Sequence, residues 1–137
     1  MSFVLDSSVT LAWCFDDERT DATDALLEQV VKTGAAAPSL WPLEILNALA
    51  MAERRGRIDA NQRLRLAGFL HDLPVKLDAE TASQAWAVTS QLASRWGLTI
   101  YDAAYLELAQ RLTLPLATLD KALRSACVAL GVTLLGS

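Results

Sequence analysis

Short, almost wholly apolar runs alternate along this chain with longer stretches of helical periodicity. That alternation restricts the fold more than any other feature. The runs "FVLD" (residues 3–6), "AAAPS" (35–39), "VKL" (75–77), "LAT" (116–118) and "VTLL" (132–135) read as short buried strands. Between them, "VTLAWCF" fits a short helix and "DDERTD" a polar loop. "ATDALLEQVVKTG" fits an amphipathic helix closed by Gly34. Pro42 suits the first helical position of "PLEILNALAMAERRG", which runs to Gly56. Asp59 opens a helix to about Leu73, ahead of Pro74. One long helical pattern spans about Glu80 to Trp96, Thr99 caps "IYDAAYLELAQRL", and a last helix covers about 121–130. Such an order predicts a small α/β sandwich on a mostly parallel sheet, with polar sites beyond the carboxyl ends of its strands.

A chain of 137 residues predicts one domain, burying roughly two-thirds of its surface on folding. With 53% hydrophobic residues and a mean hydropathy of +0.26, it lies far from disordered composition. The net charge of -4 gives no global attraction to polyanions, so local distribution matters more. "ERRGRIDANQRLR" places five arginines (Arg54, Arg55, Arg57, Arg63, Arg65) against two acids, whereas the first 28 residues hold seven acids and one arginine. Cys14 and Cys127 lack CxxC spacing and read as small hydrophobes; with a single histidine, His71, they offer no zinc cluster. "MSFVLDSS" does not have the form of a secretory signal, and no 18-residue apolar run occurs. A reducing cytoplasm and no membrane association are therefore expected.

Four acids stand at places where the expected fold would collect polar chemistry, and each has a plainer reading. Asp6 ends the first strand and is the only acid of "FVLDSS"; Ser8 stands where a haloacid-dehalogenase-like phosphatase would carry its second aspartate. Glu44 falls in the first turn of its helix, where it also suits the helix dipole. Thr99 and Asp102 have the spacing of a capping box. Asp120 follows the strand "LAT" and is placed to cap the next helix, with Lys121 solvated beside it. Gathering four carboxylates costs several kcal/mol unless protons or a cation compensate. Oxygen donors without histidine or cysteine favour Mg²⁺ or Mn²⁺, which activate water and neutralise a phosphodiester.

The stretches "FVLDSSV", "APSLWPLEILNAL", "LTIYDAAYLELAQRLTLPLATLDKAL" and "GVTLL" together resemble a PIN-domain ribonuclease, more narrowly the VapC toxin of a type II toxin–antitoxin pair. The resemblance spans nearly the whole chain and implies one PIN-like domain over residues 1–137, a three-layer α/β/α sandwich. It implies that Asp6 and Asp102 are the most direct Mg²⁺ ligands (Mn²⁺ a substitute) and that Glu44 and Asp120 complete the acidic pocket. Ser8, Asn47 and Thr118 match supporting positions. The activity implied is endoribonucleolytic cleavage of structured RNA, a transfer RNA or a ribosomal RNA loop, leaving 5′-phosphate and 3′-hydroxyl ends. The partners implied are a VapB-like antitoxin and a second copy in a homodimer. Arg54 and Arg55 are candidate contacts for RNA or antitoxin. Trp13, Trp41, Trp86 and Trp96 are expected in the core or an interface, and an exposed one would suggest stacking on RNA.

Two rival readings come from other classes. A phosphoacceptor receiver domain would share the size and sheet, with Asp16 and Asp17 as its acid pair and Thr118 and Lys121 as later residues. Those acids follow a short helix instead of ending the first strand, and no aspartate lies in an apolar strand near the chain's middle. A non-catalytic protein whose acidic pocket recognises an arginine-rich partner is the second.

Overall fold

The computed structural model describes residues 2–137. Its elements in chain order are β1 (Val4–Leu5), α1 (Ser7–Ala12), α2 (Asp21–Thr33), β2 (Ala35–Pro38), α3 (Trp41–Arg54), α4 (Ala60–His71) and β3 (Val75–Asp78). There follow α5 (Thr81–Gln84), α6 (Ser90–Trp96), α7 (Ile100–Leu112), β4 (Leu116–Ala117), α8 (Lys121–Leu130) and β5 (Leu134–Leu135). The five strands pair in the order β3-β2-β1-β4-β5, and every pairing is parallel. Helices flank the sheet in an α/β/α arrangement: α7 packs along β1, β2 and β4, while α3 packs against both α1 and α4.

The inner strands are fully buried, with Phe3, Val4, Leu5, Leu116 and Ala117 at the centre of the core. This is why those runs carry no alternation of polar and apolar residues. Ala35, Ala36 and Ala37 let α7 approach β2 closely. Gly34 turns the chain from α2 into β2 at φ 76°, where a side chain is strained. A Cβ there would also stand 3.0 Å from the Pro74 carbonyl, which accepts the Ala35 N–H.

The order β3-β2-β1-β4-β5 makes a topological switch point. From β1 the chain builds outward through β2 to β3, then returns to lay β4 on the other side of β1. Adjacent connections diverge there, leaving a crevice at the carboxyl ends of β1 and β4. Because Leu5 pairs with Ala117, the next residues, Asp6 and Thr118, emerge side by side.

The register of α7 is held from its far end. Arg111 bonds the Glu107 carboxylate at 2.9 Å, Asp78 at 2.5 Å and Glu80 at 3.1 Å, tying the helix to the end of β3. Burial opposes ionisation of Asp78, but the guanidinium holds its carboxyl below the ordinary value. The half-buried pairing is costly to break from one side, since the remaining acid would be left uncompensated.

Several local expectations need correction. The first helix begins at Ser7, two residues earlier than "VTLAWCF", and so takes in both serines. Asp6 takes the capping position by its backbone. Pro42 is the second residue of α3; its missing N–H costs nothing there, because the first four amides lack helical partners anyway. That helix ends at Arg54, with Gly56 in the left-handed turn beyond it. The polar loop "DDERTD" contains a 3-10 turn at Asp16–Glu18. The single long helix expected from Glu80 to Trp96 is interrupted: residues Ala85–Thr89 form a π-helical turn, with Ala87 at φ -125° and ψ -105°. No glycine or proline marks the break, so periodicity on either side reads through it.

Candidate active site

Asp6 is carried out of β1 into the switch-point crevice, yet it is only 2% exposed. Its N–H donates to the Ala117 carbonyl at 3.0 Å, which seats it against β4. The Ser8 and Thr118 hydroxyls both donate to its Oδ2, at 2.5 and 2.8 Å. Those hydroxyls are themselves oriented. Ser8 Oγ accepts the Leu119 N–H at 2.9 Å, and Thr118 Oγ1 accepts the Asp120 N–H at 3.1 Å. Two backbone amides of the β4–α8 connection therefore fix two hydroxyls, which fix one carboxylate oxygen. The Ser8 backbone N–H also bonds the Asp6 carboxylate.

Glu44 enters from the first turn of α3, the helix that follows β2. The Tyr105 hydroxyl donates to its Oε1 at 2.6 Å. Tyr105 is fully buried on α7, one turn beyond Asp102, so one helix supplies both an acid and the clamp on another acid. Sequence reasoning missed this residue. The signal was its i+3 spacing from Asp102, but an apolar helix face accepts a tyrosine for packing alone. Burial, then the Glu44 charge, drives the phenol far above its ordinary value, so it stays a donor.

The capping reading of Asp102 is half realised. Thr99 accepts the Asp102 N–H at 3.0 Å, but the reciprocal bond from the Thr99 amide to the Asp102 carboxylate is not made. Asp120 caps α8, accepting the Leu123 N–H on Oδ2 at 2.9 Å. Its Oδ1 makes no hydrogen bond among the described residues.

The four acids share one electrostatic environment. Burial raises Asp102 first, and the charges of Asp120, Asp6 and Glu44 follow, carrying it to about 6 from an ordinary 3.8. Glu44 is also raised, by burial and then by Asp6, against the lowering bond from Tyr105. Asp6 is raised chiefly by burial, against its hydroxyl bonds and with a contribution from Asp120. No lysine, arginine or histidine among the described residues forms an ion pair with any of the four. The cluster is therefore uncompensated. No set of three or more His, Cys, Asp or Glu side chains among the described residues stands close enough to hold a metal ion. The donor chemistry suits Mg²⁺, which keeps several of its waters and needs only one or two direct carboxylates.

Asn47 borders this cluster beside Glu44, whereas Arg54, Arg55 and Asp17 stand apart from it. Asn47 is exposed one turn along α3 from Glu44. Arg54 and Arg55 lie at the opposite end of that helix, about 15 Å from Glu44 along its axis. Arg57 pairs with Asp17 and Glu18 and covers the Phe15 ring, and Arg63 pairs with Glu53. Asp17 is thus engaged in a surface ion pair, away from the strand end where a receiver's acids would stand. Both cysteine thiols are pushed up to about 11, chiefly by burial, although Cys14 is only partly buried. Trp13 and Trp41 are core residues and Trp96 is partly buried, whereas Trp86 is 90% exposed on the π-helical turn.

A PIN-domain family model matches residues 3–129, which include all four acids. The chain belongs to the PIN-domain family. It is 32% identical over 127 residues to ribonuclease VapC3 of Pyrobaculum aerophilum, covering 90% of this chain and 92% of that relative. Among solved structures it is similar to PAE2754 from Pyrobaculum aerophilum, with 26% identity, a TM-score of 0.68, and coverage of 92% of this chain and 79% of that one. The fold is shared with VapBC2 from Rickettsia felis bound to a promoter DNA fragment (14% identity, TM-score 0.66, coverage 99% and 98%). It is also shared with FitAcB from Neisseria gonorrhoeae (15% identity, TM-score 0.67, coverage 98% and 96%).

The charge clustering has a thermodynamic signature. Between 3.8 and about 6 the folded state binds more protons at Asp102 than the unfolded chain does. Its contribution to stability therefore rises as pH falls through that window and is lost above it. In metal-free protein, Asp102→Asn should raise the unfolding free energy at neutral pH by about 1 kcal/mol once solvent screening is allowed for, and the melting temperature with it. The difference should vanish on acidification below 3.8. Melts showing the variant less stable at neutral pH would contradict this account of the cluster.

Proposed function

We propose that this protein, acting as a single domain over residues 1–137, is the toxin of a type II toxin–antitoxin pair and a Mg²⁺-dependent endoribonuclease. Its substrate is structured RNA, a transfer RNA or ribosomal RNA loop, whose cleavage halts translation in the cytoplasm. The observation that carries the reading is the uncompensated group of Asp6, Glu44, Asp102 and Asp120 at the switch point of a PIN fold. Supporting it is the resemblance to a relative named a ribonuclease.

Asp6 and Asp102 would hold the metal directly, with Mn²⁺ able to substitute for Mg²⁺, and Glu44 and Asp120 would act through water or a second ion. The bound ion supplies an activated water and neutralises charge on the phosphodiester. The chain's own part is positioning. Ser8 and Thr118 hold Asp6 through Oδ2. Tyr105 holds Glu44 Oε1, and the Ser7 hydroxyl bonds the same carboxylate. Asp120 holds its own helix start with Oδ2 and keeps Oδ1 free. Each acid thus spends one oxygen, or a backbone amide, on its orientation. Cleavage leaves 5′-phosphate and 3′-hydroxyl ends.

Inhibition follows from the same charge. A VapB-like antitoxin that brings a basic side chain to the cluster would neutralise it and exclude the ion. The protein works as a homodimer. Arg54 and Arg55, with no acidic partner among the described residues, form a separate phosphate- or antitoxin-contacting surface.

Antitoxin-free protein incubated with total RNA and Mg²⁺ should give discrete fragments. EDTA should abolish them, and Asp6→Asn or Asp102→Asn should slow cleavage by about a hundredfold or more. Equal cleavage by native protein and both variants would mean a contaminating nuclease. Tyr105→Phe keeps the packed ring and removes only the clamp on Glu44. It should weaken Mn²⁺ binding about tenfold or more, read by titration independently of turnover. Unchanged Mn²⁺ affinity would make Tyr105 a packing residue only. Arg54→Glu with Arg55→Glu should leave the melt intact and lower the salt slope of RNA binding by about two, or else weaken antitoxin binding. Unaltered binding of both partners removes the patch from the mechanism.

A further inference from the structure

The acid cluster has an apolar rim on one side. Leu40, Leu43, Glu44, Asn47 and Tyr101 line an open depression of about 520 Å³. Leu43 is 73% exposed and Tyr101 62% exposed, although both are large and apolar in body. Each immediately precedes an acid of the cluster, Leu43 before Glu44 and Tyr101 before Asp102. The rim is thus built from the first turns of α3 and α7, the same turns that present those acids.

Charge decides what such a rim accepts. Its lining contains Glu44 and no lysine or arginine, so a phosphate is disfavoured there. A phosphate is held beside it, among the acids, once a cation is bound. What then reaches the rim is an uncharged part of the same chain, within one nucleotide of that phosphate. A planar base meets an aromatic ring, an aliphatic side chain and, at Asn47, an amide carrying both donors and an acceptor. We propose that Tyr101, Leu43 and Asn47 form a subsite for one unpaired nucleobase next to the scissile phosphate, Tyr101 stacking on it and Asn47 meeting its edge. The subsite rests on the nuclease reading and adds a requirement, that the cleaved strand be single-stranded at that nucleotide. A base paired in a duplex has its faces covered by its neighbours and cannot enter.

The test uses the full chain with all four acids intact, Ca²⁺ in place of Mg²⁺ to suppress turnover, and fluorescein-labelled RNA dodecamers. The probes are oligo(U), oligo(A) and a duplex of equal length. Adding Tyr101→Ser should weaken binding of both single strands about tenfold and leave duplex binding unchanged; Tyr101→Phe should bind like the parent. Leu43→Ser should act in the same direction. Both side chains are exposed, so unchanged melts verify folding. With Mg²⁺ restored, Tyr101→Ser should raise KM for cleavage far more than it lowers kcat. Equal single-strand binding by Tyr101→Ser, or equal loss on single strand and duplex, overturns the subsite. So does a change of sedimentation coefficient with Tyr101→Ser, which would place the rim between two copies of the chain. If the native protein cleaves RNA but Tyr101→Ser cleaves with the same KM, only the subsite fails. If the native protein cleaves nothing while the single-strand preference holds, only the nuclease reading fails.

Discussion

The pairing of β1 with β4 at the centre of the sheet is the constraint on which the site depends. Two residues of each strand suffice, because both are fully buried and their continuation is locked by Asp6 donating to the Ala117 carbonyl. The pairing brings together residues more than a hundred positions apart: Asp6 and Ser8 with Thr118 and Asp120. A slip of the β1–β4 register would separate the Thr118 hydroxyl from the Asp6 carboxylate and leave a buried charge with one bond fewer. Packing and polar satisfaction therefore specify the same alignment.

Around that anchor the molecule tolerates an electrostatic arrangement that disfavours its own folding. Asp6, Glu44 and Asp102 all lie above their ordinary values, and burial leads the causes in each case. Outside the cluster, the acids that are not exposed are matched: Asp78 and Glu107 meet Arg111, Glu53 meets Arg63, and Asp24 meets Arg19. The contrast within one chain marks the cluster better than acidity does. Stability lost at a site and recovered elsewhere is the usual relation between function and folding. Here the Arg111 network holds α7 at one end while its other end presents Asp102 among like charges.

The arginines show the same division of labour. "ERRGRIDANQRLR" reads as one basic patch, but two of its five arginines are consumed by ion pairs. Arg54, Arg55 and Arg65 remain, the first two a helix length from Glu44. Charge counted along a sequence overstates charge offered to a partner, since neighbours in space and not in sequence determine which cations are already neutralised.

How much was legible beforehand follows from the range of each force. Alternating apolar runs and helical periods are local consequences of burial, so the α/β layering and five strands could be read directly, as could Asp59 and Asp120 as helix caps. The π-helical turn at Ala85–Thr89 was invisible because no residue there announces it. Residue types also pointed to the four acids that the fold gathers into one electrostatic cluster, through their apolar neighbourhoods and their motif order. Tertiary structure alone decided that Ser8 and Thr118 share one oxygen of Asp6, that Tyr105 clamps Glu44, and that Tyr101 faces outward where Tyr105 faces in. A sequence encodes what each short segment prefers. Hydrogen bonds of definite length and a charge's lack of a partner are properties of segments brought together, and only the closed sheet and its packed helices bring them together.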